Sequence, residues 1–272
     1  MHRFLSPILS CLVICARSVA ADNPAAAKAL ELDTFPGGPW TGMNAVFQSK
    51  NFDATLDKDR VLRIQPKDDG KNVGVPVLVR FSTYYVIDQR SIPRDMVSIE
   101  KKPAPSMQPK KIEIAGTCEQ KIKFDVSFHF SERGVTVDGT VKDPQGIKYP
   151  STFAYAAYFT ASHQIPKDTP LDEVKSQTAG FTVKFTNAAK QAETMQFWEI
   201  SQNRSGTVAS GEVTGPWGPR RVIAEMPAVR ASGARIGTFG NYAVLPFYKG
   251  GWYFSRGGTH KVPAGPLTVR VE

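Results

Sequence analysis

QKIKFDVSFHFS, residues 120–131, alternates with period two. Ile122, Phe124, Val126, Phe128 and Phe130 fall on one side, and Lys121, Lys123, Asp125, Ser127 and His129 on the other. Side chains of a strand point alternately to its two faces, so the pattern predicts a strand with one face in a core and one in water. ERG at 132–134 reads as a turn. GVTVDGTVK returns from it, with Val135, Val137 and Val141 alternating, and KKIEIAG at 110–116 supplies a preceding strand.

The same reading extends outward in both directions. GVPVLVRFSTYYV (74–86) predicts a long strand, with Pro76 near its start, where a missing amide costs least. FDATLDKDRVLRIQP (52–66) predicts a hairpin turning at Asp57-Lys58-Asp59. Further strands are expected at 42–48, 151–160, 181–185, 196–202, 207–214, 220–225, 241–247, 251–255 and 266–271. Two short helices are expected. DTPLDEV (168–174) offers Thr169 as N-cap and Pro170 at the first helical position. TNAAKQAETM (186–195) offers Thr186 or Asn187 as cap. Neither is long enough to form a layer, so the fold class is all-β, built from packed antiparallel sheets.

The domain pattern allows two arrangements. Residues 35–272 form either one large sandwich or two tandem sandwiches, about 35–165 and 175–272, divided near 165–178. KKPAPSMQPKK (101–111) then serves as a linker or a long crossing loop. Irregular strand spacing with long crossings resembles the large two-sheet sandwich, or supersandwich, of sugar mutarotases and some polysaccharide-lyase domains. That resemblance is one of architecture, and architecture does not set function.

The N-terminus indicates export. His2 and Arg3 precede an apolar stretch at 4–16, and Ser18-Val19-Ala20 fits a signal peptidase site. Residues 1–20 are expected to be a signal peptide cleaved near Ala20, and 21–34 an Ala-rich lead-in. The mature chain would be secreted or periplasmic, with no transmembrane span. Cleavage removes Cys11 and Cys15 and leaves Cys118 alone, so no intramolecular disulfide can form and the core must hold the fold.

Charge is uneven along the chain. Residues 21–178 carry 21 Lys/Arg and 20 Asp/Glu, whereas 179–272 carry 11 Lys/Arg, 5 Glu and no Asp. A basic last third suits an anionic partner, and in an exported protein that means a polysaccharide or another envelope polymer rather than nucleic acid.

Chemistry is less legible. The mature chain has three histidines, His129, His163 and His260, at no metal-ligand spacing, and no metal or cofactor is expected. No nucleophile elbow, phosphate loop or dinucleotide fingerprint is present. Two clusters combine aromatic and basic residues. GPWGPRR (215–221) holds Trp217, Arg220 and Arg221 in a loop. KGGWYFSRGGTHK (249–261) holds Trp252, Arg256 and His260 between glycine pairs that suit hairpin turns. Aromatic faces stack on sugar rings and guanidinium groups bind carboxylate or sulfate. Period two also puts Trp252 and Phe254 on one face and Tyr253 on the other, so one aromatic face is open to solvent unless the sheet is covered on both sides.

Three functions fit these residues. The first is a non-catalytic exported protein binding a glycan or anionic envelope polymer through Trp217, Arg220, Arg221, Trp252, Arg256 and His260. The second is a carbohydrate-active enzyme, mutarotase- or lyase-like, in which His129 and Glu199 face each other across a sheet and move a proton. The third is a structural module of the envelope, with no site.

Overall fold

The computed structural model describes residues 29–272, apart from 89, 161–164, 167–168, 188–190, 197, 200–205, 216, 227–232, 240–246 and 249–250. The signal peptide, most of the lead-in, His163, Lys249, Gly250 and most of the strands expected at 196–202 and 241–247 lie outside the described residues.

The strands run β1 Met43–Gln48, β2 Phe52–Asp57, β3 Leu62–Asp68, β4 Lys71–Asn72, β5 Val77–Ile87, β6 Arg90–Pro93 and β7 Met96–Lys101. Next come β8 Ser106–Met107, β9 Lys111–Cys118, β10 Ile122–Ser131, β11 Gly134–Lys142, β12 Thr152–Thr160 and β13 Ile165–Pro166. The last are β14 Thr182–Asn187, β15 Ala192–Gln196, β16 Gly206–Thr214, β17 Val222–Glu225, β18 Gly233–Phe239, β19 Phe247–Tyr248, β20 Gly251–Thr259 and β21 Leu267–Val271.

They form two large sheets. Sheet I has the order β8-β1-β2-β3-β5-β12-β20-β18. Sheet II has the order β7-β9-β10-β11-β21-β17-β16-β14-β15. Pairing is antiparallel except between β1 and β8. Strand β16 joins the sheets: Gly206 and Thr207 pair with β18, while its later residues pair with β14 and β17. Early and late strands interleave in both sheets. β5 pairs with β12 and β12 with β20 in sheet I, and β11 pairs with β21 in sheet II. The 101–111 stretch crosses the open edge between the sheets, with β8 lying on β1 midway. Two side chains fasten this crossing: Asn44 donates to the Asp33 and Pro103 carbonyls, and Gln108 bonds both backbone groups of Gln48.

The core lies between the inner faces. On β10 the alternation of 120–131 appears as expected, with Ile122, Phe124, Val126, Phe128 and Phe130 buried and Lys123, Asp125 and His129 exposed. Each large side chain buried in this way stabilises by about 1.5–3 kcal/mol. The lead-in also contributes, because Leu32 is buried and its amide donates to Lys58 at the β2–β3 turn.

Three local expectations are corrected. The described residues of 186–195 do not form a helix. β14 and β15 form a hairpin there, because pairing of β14 with β16 and burial of Val183, Phe185 and Met195 outweigh local helix preference. The helix at Leu171–Gln177 does form, but Pro170 occupies its N-cap with no side-chain bond, so Thr169 is not the cap. Gly257 and Gly258 are not turn residues. β20 runs through them in extended conformation, and the turn is Thr259–Val262, closed by reciprocal backbone bonds of 2.8 and 3.2 Å. The reason for a glycine at 258 is close approach: a Cβ there would meet the Ala264 nitrogen at 2.0 Å.

Candidate functional site

The expected binding residues do not share a surface. Trp217 is 0% exposed; its Nε1 donates to the Val75 carbonyl at 2.7 Å, and its ring meets Phe159 and Phe181 edge-on. Trp252 is also fully buried, with Nε1 on the Met195 sulfur at 3.2 Å and its ring 4.7 Å from Phe181. Both indoles therefore pack around one phenylalanine inside the sandwich, and neither presents a face to a sugar. Arg256 follows the inward period of β20 and is buried, donating to the Ala264 and Pro266 carbonyls. Arg220 bonds the Lys67 carbonyl and pairs with Asp68 at 3.1 Å. Arg221 is more open but pairs with Glu212 and Glu272. His260 is exposed at the β20–β21 turn. Among the described residues of the last third, Arg220, Arg221, Arg256 and Arg270 are thus held in ion pairs and carbonyl contacts.

The proposed catalytic pair is separated as well. His129 stands on β10, and Glu199 follows β15. Six strand steps lie between β10 and β15 in sheet II, about 29 Å at the usual spacing. The Glu199 carboxylate instead accepts the Gln196 amide at 2.7 Å, a local turn bond. His129 is exposed with Ser127 Oγ 3.3 Å from its Nε2, and Ser127 lines a concavity of about 190 Å³ on the outer face of sheet II. That concavity holds Glu113, Asp125 and Asp138. Lys101 and Lys111 pair with Glu113 and hold its carboxyl well below the usual range, at about 2. It is an anion at neutral pH. Among the described residues, no group of three or more His, Cys, Asp or Glu side chains could hold a metal.

A different surface brings aromatic and basic groups together: the outer face of sheet I at β5, β12 and β20. On β12, Phe153, Tyr155, Ala157 and Phe159 face the core, so Ala154, Ala156 and Tyr158 face outward. On β20, Trp252, Phe254 and Arg256 face inward, so Tyr253 and Ser255 face outward. The register places Tyr158 opposite Tyr253, Ala156 opposite Ser255 and Ala154 opposite Gly257. On the other side of β12, Leu78 stands opposite Tyr158, Arg80 opposite Ala156, Ser82 opposite Ala154 and Tyr84 opposite Thr152.

The result is a trough. Its floor is Ser82, Ala154, Ala156, Ser255 and Gly257, residues with little or no side chain. Ala156 is 5% exposed. Tyr158 and Tyr253 rise side by side at one end, with ring centroids 5.9 Å apart and planes tilted by 37°. At the other end Tyr84 reaches across β12, and its hydroxyl lies 3.5 Å from where a Gly257 Cβ would stand. Burial pushes the Tyr158 phenol above its ordinary pKa against the pull of the Arg80 charge, so it stays a neutral hydrogen-bond donor.

Sequence reasoning singled out Trp252 and Arg256 on β20, which face inward, and passed over Tyr253, which faces outward. The alternation of Trp252, Tyr253 and Phe254 marked two aromatic faces, and the larger ring drew the assignment. STFAYAAYFT (151–160) carried the missing signal, since its period places alanines and Tyr158 together opposite a fully apolar inner face.

No protein-family model matches this chain, and no curated protein does. Several solved structures are similar in fold. A galactose mutarotase-like protein from Lactobacillus casei ATCC 334 has a TM-score of 0.48 at 8% identity over 84% of this chain and 98% of its own. A galactose mutarotase related enzyme from Lactobacillus acidophilus has a TM-score of 0.42 at 5% identity, over 84% and 96% of the two chains. The 4-alpha-glucanotransferase of Thermococcus litoralis has a TM-score of 0.42 at 10% identity, over 84% of this chain and 37% of the other. Likeness at this level assigns no activity, and the site rests on its own residues.

Proposed function

We propose that this is an exported protein that binds a glycan on the outer face of sheet I, without turning it over. The observation that carries the reading is the outward pair Tyr158–Tyr253 beside a floor of alanine, serine and glycine. Tyrosine joins an apolar ring to a hydroxyl, so it offers both a stacking face and a hydrogen bond to a sugar. Small floor residues let a flat ring approach the sheet. The two indoles first expected to stack sustain the core instead, and no described pair of groups is arranged to move a proton at this face.

The test uses mature protein, residues 21–272, titrated with neutral and acidic polysaccharides at low and high salt, with product analysis on the same samples. Binding that survives high salt, falls on Tyr158→Ala and leaves the polymer chemically unchanged supports the reading. Product formation would move the chain to the carbohydrate-active enzymes. Absence of binding across the panel would leave a structural role in the envelope. Export is tested separately by N-terminal sequencing of the natural product, which is expected to begin at Ala21.

A further inference from the structure

Resting on the glycan reading, we infer that the ligand is acidic: a uronate- or sulfate-bearing sugar whose anionic group is held by Arg80. The four strands that form and border the trough, β5, β12, β18 and β20, contain no Asp or Glu at any position. Arg80 stands on their outer face, exposed, and among the described residues it has no ion pair and no hydrogen bond. Arg63, Arg220, Arg221 and Arg270 each pair with a carboxylate. Arg80 shares its unpaired state with the exposed Arg90 and Arg133, and differs from them in standing beside the small-residue floor and the tyrosine pair. The carboxylates on β3 and β2, the next strands along sheet I, are paired: Asp68 with Arg220, Asp53 with Lys67 and Asp57 with Arg63.

The register turns this charge into a geometry. One cross-strand row reads Leu78, Tyr158, Tyr253 and Gly237, and the next reads Arg80, Ala156, Ser255 and Arg235. Arg80 thus stands at the end of a row whose next two positions, Ala156 and Ser255, are small. A sugar ring on the tyrosine row projects its substituents over Ala156 and Ser255, within reach of the Arg80 guanidinium. A planar guanidinium with forked donors is suited to carboxylate or sulfate, and no acid on these strands competes for it. A neutral sugar would leave that fixed charge unused.

The test compares matched polymers by calorimetric titration at 0.15 and 0.5 M NaCl: polygalacturonate with its methyl ester, and dextran sulfate with dextran. The first pair probes carboxylate and the second sulfate. Mature wild type is expected to prefer the charged member of at least one pair at both salt concentrations. Arg80→Gln is expected to lower affinity for that charged member roughly tenfold and to leave the neutral member unchanged. Tyr158→Ala is expected to lower both members alike. The inference is overturned if charged and neutral members bind equally, if Arg80→Gln preserves the preference, or if the preference vanishes at 0.5 M NaCl as diffuse attraction would. In each of those cases a loss on Tyr158→Ala would still uphold the glycan site. No effect of Tyr158→Ala would remove the site itself.

Discussion

Tyr158 and Tyr253 stand directly opposite each other on β12 and β20, with ring centroids 5.9 Å apart on the face turned away from the core. One residue along each strand, Phe159 and Trp252 are also opposite each other, and these face inward. A single strand pair therefore carries two aromatic pairs with separate duties. The inner pair joins Phe181 and Trp217 in the core, and the outer pair lies on the opposite face of the sheet.

This division predicts opposite consequences for the two pairs. Tyr158→Ala and Tyr253→Ala should each weaken glycan binding about tenfold, near 1.4 kcal/mol. Because both side chains are only half-buried, the melting temperature should move by no more than a few degrees. Titration and thermal melting on the same preparations check both statements.

Trp217→Ala and Trp252→Ala should do the reverse. Each empties a fully buried site and should cost about 3–5 kcal/mol of stability. For a chain of this size the melting temperature falls by about 2–4 °C per kcal/mol. Both indoles contact Phe181, so the double variant should cost less than the two single losses added, a departure that chemical denaturation can measure. Trp252→Phe, which keeps most of the packing, should bind glycan as wild type does.

The adjacent glycines Gly257 and Gly258 of β20 separate folding from function in the same way. At Gly258 a Cβ would meet three backbone atoms of Pro263 and Ala264 between 2.0 and 2.6 Å, which cannot give way. Gly258→Ala should yield little soluble protein. At Gly257 the nearest atoms are Thr152 Cγ2 at 3.2 Å and the Tyr84 hydroxyl at 3.5 Å, both on side chains of the outer face. Gly257→Ala should fold, melt within a few degrees of wild type, and bind glycan less well because the trough floor rises.

Cys118 offers a check on the core that needs no ligand. Its side chain is 2% exposed, and burial raises its thiol pKa despite a hydrogen bond with Thr83. A buried, protonated thiol is a poor nucleophile. Mature protein should show no reaction with a thiol-disulfide reagent while folded and one equivalent after unfolding. Prompt labelling of the native state would contradict the burial described here.

Legibility in the sequence followed the strength of local pattern. The ten-residue alternation of β10 survives intact because one strand face meets the core and the other meets water. The 186–195 stretch misled because its alanines and glutamates favour helix locally, whereas the partner that makes it a hairpin, β16, lies further along the chain. Trp217 misled for a related reason. Its loop setting suggested exposure, but the loop folds back so that the indole reaches the Val75 carbonyl, a contact spanning 142 residues. The trough was hidden by the same kind of distance. Tyr84, Arg80, Tyr158 and Tyr253 come from three strands, and only the register of β5, β12 and β20 sets them on one face.

The central claim concerns which face binds, and radical footprinting reads that directly. Mature protein would be labelled with and without saturating polygalacturonate oligomers, and modification followed at individual side chains. The account predicts protection at Tyr84, Tyr158 and Tyr253, with His129 and His260 labelled as in the free protein. Protection at His129 or His260 with Tyr158 and Tyr253 unchanged would contradict it and move the site to sheet II or to the β20–β21 turn.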